Sequence, residues 1–204
     1  MPETWFISDT HFGHENVLKF CPSRAVLGET IEEHDEALIQ RWNEMVRPED
    51  KVYHLGDVAF GRRKQDLRWM RRLMGKIMLL RGNHDTGQCG QWLKFVHEVL
   101  PSVTPLPGLG DVVLSHAPLH YACLTHRWSL NVHGHMHETV VLDPKKPTGF
   151  ADKRYMNVAV EQIDFRPVHL DAVLMRLRQN VAPAGRSTLN ARFFSKPRKV
   201  GDSK

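Results

Sequence analysis

Cysteine is scarce in this chain. There are three in 204 residues (Cys21, Cys89 and Cys123), and none falls in a Cys-x-x-Cys spacing. An odd, scattered set excludes a disulfide framework and argues for a reducing compartment, so the sequence predicts a cytoplasmic protein. Long apolar runs are also missing. None approaches the ~20 residues that a membrane span requires, so no membrane partner is expected. The opening segment, Met1-Pro2-Glu3-Thr4-Trp5, lacks the basic and then apolar pattern of a secretion signal. There is no internal repeat. What remains, 41% hydrophobic and 25% charged residues, is the composition of a soluble globular domain large enough for a real core.

The net charge of +5 is unevenly spread. Residues 176–204 hold eight Lys or Arg against one acid, Asp202, leaving 20 basic and 22 acidic residues in 1–175. The sequence therefore predicts a mildly acidic globular domain over 1–181 and a basic, flexible tail over 182–204, where Pro, Gly, Ser and basic residues dominate. Thirteen histidines is a high count for this length, and their placement is more informative than their number.

Side chains suited to binding metals gather in five clusters: Asp9-Thr-His11, Gly56-Asp57, Gly82-Asn83-His84-Asp85, Ser115-His116 and His133-Gly-His-Met-His137. Each follows a short apolar run that reads as a strand: Trp5–Ser8, Lys51–Leu55, Lys76–Arg81, Asp111–Ser115 and Leu130–His133. A capping-box pattern, Thr30-Ile-Glu-Glu33, opens an amphipathic helix with Ile31, Leu38, Trp42 and Met45 on one side, ending near Pro48. A second helix is predicted over 64–74, a further strand at Met156–Val160 and a closing helix from Leu170 to Gln179. Strands alternating with helices imply an α/β sheet with helices on its faces and some antiparallel pairing toward the C-terminus. In such sheets ligands collect at the carboxyl ends of the strands, which turns five distant clusters into one site.

The clusters, in this order, resemble the calcineurin-like metallophosphoesterase superfamily, whose blocks are Asp-x-His, Gly-Asp, Gly-Asn-His-Asp/Glu, His and Gly-His-x-His. The stretches Ser8–Asn16, Asn131–His137 and Asn157–Val160 are most similar to a compact bacterial and phage-type branch. The resemblance implies a four-layer αββα sandwich. It implies that Asp9, His11 and His137 hold one metal, that Asn83, His116 and His135 hold a second, and that Asp57 bridges them. It also implies that His84 acts beside the metals as a proton donor oriented by Asp85.

Elementary chemistry agrees with that assignment. Two divalent ions about 3.5–4 Å apart clamp a phosphoryl oxygen and acidify water. One carboxylate has enough acceptor capacity to bridge them. Mixed nitrogen and oxygen donors without thiolate suit Mn, Fe, Zn, Ni or Co, with Mn favoured. His14 and Asn16 lie close enough in sequence to meet a substrate phosphate, although helix capping and solvent exposure explain them equally well. His54 and His133 read as packing or supporting residues, His120 and His126 as loop residues, and Trp128 as core.

The expected partner is a phosphorylated small molecule or nucleotide, with diesters ahead of monoesters. Nucleic acid is a further option, through Arg62–Arg72 and the run Arg192–Lys199. Protein phosphatases of the superfamily carry Gly-Asp-x-x-Asp-Arg-Gly and Asn-His-Glu. This chain has Gly56-Asp-Val-Ala-Phe-Gly61 and Asn83-His84-Asp85, which disfavours that activity. Double-strand-break nucleases of the superfamily are usually longer. Scaffold members lose ligands, and this chain keeps every block.

Overall fold

Strand β1 (Thr4–Ile7) shows how the layers arise, because its alternating side chains serve two cores. Trp5 and Ile7 join a cluster with Leu38, Ile39 and Trp42, while Phe6 joins one with Val112, Leu114, Leu130 and Val132. Strands β2 (Lys51–His54) and β3 (Lys76–Leu80) repeat the division: Val52, Ile77 and Leu79 face one way, Tyr53, Met78 and Leu80 the other. A sheet buried on both faces needs a cover on each, which is why these strands read as continuous apolar runs.

The computed structural model describes residues 1–60, 67–85, 94–124, 127–146 and 149–180. Helix α1 is one turn, Val17–Phe20, and α2 spans Ile31–Met45. The capping box is present as expected: Thr30 accepts from the Glu33 amide, and the Glu33 carboxylate accepts from the Thr30 amide. Helix α2 covers the outer face of the first sheet, with Trp42 enclosed and its indole donating to the Met74 carbonyl. Burying a side chain of this size contributes about 1.5–3 kcal/mol.

The remaining strands are β4 (Glu98–Leu100), β5 (Val103–Leu106), β6 (Leu109–Ser115), β7 (Leu130–His133), β8 (Tyr155–Asn157) and β9 (Val168–His169), followed by α3 (Leu170–Asn180). The first sheet runs β4-β3-β2-β1-β9, parallel except for β9. The second runs β5-β6-β7-β8, with β5 antiparallel to β6 and the rest parallel. The sheets pack face to face through the Phe6 cluster, to which α3 adds Val173 and Leu177. Val113, Leu124 and Tyr155 form a further cluster on the second sheet, with Leu119, Trp128 and Val141 packed against it. This is the expected layered sandwich.

Several expectations need correcting. The described part of the predicted helix at 64–74 is a 3-10 segment, Leu67–Arg72, pinned by Asn43 on the Arg72 carbonyl and the Met74 amide. The run at 156–160 is a strand only to Asn157, because the chain then crosses between sheets, with Ala159 bridging to Ser8 and Val160–Gln162 turning as 3-10. Strands β4 and β9 are too short for periodicity to reveal. β5 contains Pro105, which an edge strand tolerates. The basic tail at 182–204, Arg62 and His126 lie outside the described residues.

Candidate metal centre

The carboxyl ends of β1, β2, β3, β6 and β7 meet at one edge of the sandwich. Close backbone approach makes this convergence possible. A side-chain carbon on Gly134 would collide with Ser8 and the Asp9 carboxylate, and one on Gly82 would collide with the Asp57 carboxylate. Five ligand-grade residues adopt left-handed backbone: Asp9 (φ 58°), His11 (50°), Asp57 (53°), His135 (67°) and His137 (45°). Only two other non-glycine residues among those described do so, Asp164 and Phe165. Such conformations cost on the order of 1–3 kcal/mol each and persist where surrounding structure enforces them, so the strain is concentrated at this edge.

Two donor sets converge. In the first, His11 Nε2 and His137 Nε2 each lie 3.9 Å from Asp9 Oδ1. In the second, Asn83 Oδ1 is 2.9 Å, His135 Nδ1 3.2 Å and Asp57 Oδ2 3.4 Å from His116 Nε2. The Leu55 carbonyl accepts from His116 Nδ1 at 2.8 Å, so a ring that gave up its second proton to a cation would turn the lone pair of Nε2 toward this donor set. Asp57 joins the sets, because its Oδ2 is also 3.7 Å from His11 Nε2. The second carboxylate oxygens are anchored: the His135 amide donates to Asp9 Oδ2 and the His84 amide to Asp57 Oδ1.

Asp9 Oδ1 and both ring nitrogens of His11 are buried with no hydrogen-bond partner. An unsatisfied buried polar atom costs about 1–3 kcal/mol, and divalent cations would satisfy Asp9 Oδ1 and His11 Nε2, the nitrogen that faces the Asp9 and Asp57 carboxylates. The residues present therefore fit a pair of cations.

Burial and neighbouring charge pull the ionisations apart. Burial lifts Asp9 to about 6 against the opposing pull of His116 and His137. Burial would also raise Asp57, but the hydrogen bond and charge of His116, then the His84 amide and His11, hold it well below the usual carboxylate range. Burial drives His11 down to about 2, which keeps it a neutral donor. For His137 burial is outweighed by Cys21, Glu161 and Asp9, which lift it to about 10.

His84 is 35% exposed, with Nε2 3.8 Å from Asp57 Oδ2 and its ring edge-on to Phe60. It lines a cavity of about 420 Å³ together with His11, His14, His137 and an apolar wall of Val17, Phe20, Phe60 and Met136. Asp85 accepts from the amides of Asp57, Val58 and Gly82, tying two ligand turns together. None of these three bonds carries its expected role of orienting His84. His14 reaches the cavity. Asn16 does not: it is the exposed N-cap residue of α1. His54 and His133 are buried, as expected for supporting residues. Trp128 is partly buried against Val113, Leu124 and Tyr155. Glu161 and Arg24 are the groups that the motifs do not reveal. Glu161 Oε1 lies 2.9 Å from His137 Nδ1, and Arg24 reaches the same oxygen.

Comparison with known proteins identifies the family. The calcineurin-like phosphoesterase profile matches residues 3–135. An uncharacterised protein of Methanocaldococcus jannaschii is 31% identical over 179 residues, covering 85% of this chain and 90% of that one. The Gene 66 protein of Mycobacterium phage L5 is 30% identical over 171 residues, covering 70% and 81%. A solved structure of a protein of unknown function from Aquifex aeolicus superposes with a TM-score of 0.62 at 24% identity, over 86% of this chain and 99% of that one, and shares the fold. The chain belongs to the calcineurin-like phosphoesterase family.

Proposed function

We propose that the protein is a phosphoesterase that works with two divalent cations and hydrolyses phosphodiesters bearing an apolar or planar organic group, nucleotides among them. The observation that carries this reading is the meeting of two donor sets at Asp57, with unpartnered buried atoms facing inward. Asp9, His11 and His137 would hold one cation, Asn83, His116 and His135 the other, and Asp57 would lie between them. When bound, such a pair supplies Lewis acidity at a phosphoryl oxygen and lowers the pKa of water. The donors are nitrogen and oxygen, which suits Mn, Fe, Zn, Ni or Co, and Mn is the first to test.

His84 is the proton donor in this scheme. It is exposed to the cavity, close to Asp57, and outside both donor sets. Protonating a leaving alkoxide from a positioned imidazole contributes roughly 10²–10⁴-fold. Asp85 acts through backbone, holding the Gly56–Val58 and Gly82–Asp85 turns in register. The wall of Val17, Phe20, Phe60 and Met136 offers the ester's organic group an apolar surface. No comparable support favours a nucleic-acid surface in the described part of the basic segment, where Arg72 is paired with Glu36 and Arg71 lies over Phe95. We place the protein in a reducing, cytoplasmic setting, in keeping with free Cys21 and Cys123. Among the described residues no helix is long and apolar enough to cross a membrane.

The test is hydrolysis of bis-p-nitrophenyl phosphate, p-nitrophenyl phosphate and cyclic nucleotides by chelator-treated protein, with Mn, Ni, Zn or Mg added back. Restored diester hydrolysis with about two cations per chain is expected. Folded protein that hydrolyses no ester with any of these metals would end the reading.

A further inference from the structure

Beneath the first donor set lies a buried ion pair that none of the five blocks contains. Arg24, in the 3-10 segment Pro22–Leu27, is wholly enclosed. Its Nη2 donates to the Asp9 carbonyl at 2.6 Å, and its Nη1 donates to the Thr10 carbonyl at 3.1 Å. His34 Nε2 sits 3.2 Å from the same Nη1, and His34 is held in turn by Asp35. The remaining reach of the guanidinium goes to Glu161, with Nε at 2.7 Å and Nη2 at 2.6 Å from Oε1. That oxygen is 2.9 Å from His137 Nδ1, and the Glu161 side chain is 1% exposed.

A buried charge pair of this kind contributes little to stability by itself, because desolvation offsets most of the attraction. Its placement suggests another use. An ionised carboxylate accepts hydrogen bonds and cannot donate them, so the imidazole nitrogen facing Glu161 must carry a proton. A ring that binds a cation must give up its second proton, and with its one N–H on Nδ1 it would leave the lone pair of His137 on Nε2, the nitrogen facing Asp9. A carboxylate behind a ligand histidine fixes its tautomer and strengthens it as a donor. Arg24 adds a mechanical link, since one guanidinium grips both Glu161 and the backbone at Asp9.

We infer that Glu161 and Arg24 are positioning residues for the first cation, with Glu161 setting the tautomer of His137 and Arg24 locking that histidine to Asp9; this rests on the two-cation reading above. The sequence separation of 137 positions between Arg24 and Glu161 explains why no local motif announces the pair.

The experiment is Co²⁺ binding to wild-type and Glu161→Gln protein, followed by the visible absorption of the cobalt and by equilibrium dialysis. Wild type should take up two ions. In the variant one site should weaken by about 10–100-fold while the other holds. A Glu161→Gln protein that binds both ions as tightly as wild type overturns the inference and leaves the two-cation reading intact. So does a folded variant that weakens both sites equally. A second measurement needs no variant: ¹⁵N spectra of Zn²⁺-loaded wild type should show His137 protonated at Nδ1. A proton at Nε2 overturns the relay whether or not the variant folds. A wild-type chain that takes up neither ion overturns the two-cation reading and the relay together.

Discussion

The amide of His84 donates to Oδ1 of Asp57 at 2.9 Å, while the imidazole of the same residue places Nε2 3.8 Å from Oδ2. One residue thus fixes the orientation of the central carboxylate with its backbone and offers its side chain to the cavity. The two tasks separate under substitution, because an alanine keeps the amide.

His84→Ala should therefore keep its cations and lose roughly 10²–10⁴-fold in kcat for bis-p-nitrophenyl phosphate. Metal analysis alongside steady-state kinetics checks both halves. Wild-type turnover in the variant would remove His84 from the chemistry.

Gly82→Ala should fail differently. The added carbon would collide with Asp57 Oδ1 and lie 2.6 Å from the Asp57 amide nitrogen, so a ligand turn must shift. Overpacking of this kind typically costs about 1–3 kcal/mol. We expect a lower melting temperature and weaker Mn²⁺ binding together, read by thermal denaturation with and without metal. An unchanged melting curve would mean that the turn has slack the packing does not show.

Stability should fall in mild acid. His54 is pulled by burial to about 3, and burial also lowers His34, so both stay neutral in the fold below the ordinary histidine range. The unfolded chain protonates them near 6.5. Their contribution is thus fully present above 6.5 and is lost as pH falls, for His54 by about 1.4 kcal/mol per pH unit down to about 3. Asp9, raised to about 6, acts in the opposite sense between 3.8 and 6, since the folded state then holds the extra proton. Comparing metal-free wild type with His54→Gln isolates the histidine. Urea midpoints between pH 5 and 6.5 should fall less steeply in the variant, and equal slopes would contradict a neutral His54.

Phe20 is 71% exposed at the cavity wall, an unusual place for a large apolar ring. If it packs against the ester's organic group, Phe20→Ala should raise KM for an aryl diester several-fold and leave kcat near wild type. A loss confined to kcat would instead tie the ring to the chemistry.

Much of this site was legible along the chain, because each ligand turn follows a strand whose apolar run is continuous and whose last residues are distinctive: Asp9-Thr-His11 after β1, Asn83-His84-Asp85 after β3, His133 to His137 after β7. Strand ends and turn residues are local properties, so local patterns report them. The capping box at Thr30 and Glu33 was readable for the same reason. The 3-10 form of Leu67–Arg72 was not, since it depends on Asn43 and Trp42 holding the following turn from another helix.

The sequence by itself determined the order of the donor-bearing turns and the apolar runs of the strands they follow, and its resemblance to a family implied the layered sandwich. Only the tertiary structure decided which groups stand behind the proposed ligands. Asp85 braces backbone amides, Glu161 faces His137 from a 3-10 turn after β8, and Arg24 joins Glu161 to the Asp9 carbonyl. Those partnerships are set by the packing of two sheets and a crossover between them. Hydrogen bonds between separate turns, 15 positions apart for Arg24 and Asp9 and 137 for Arg24 and Glu161, leave no periodicity in the chain.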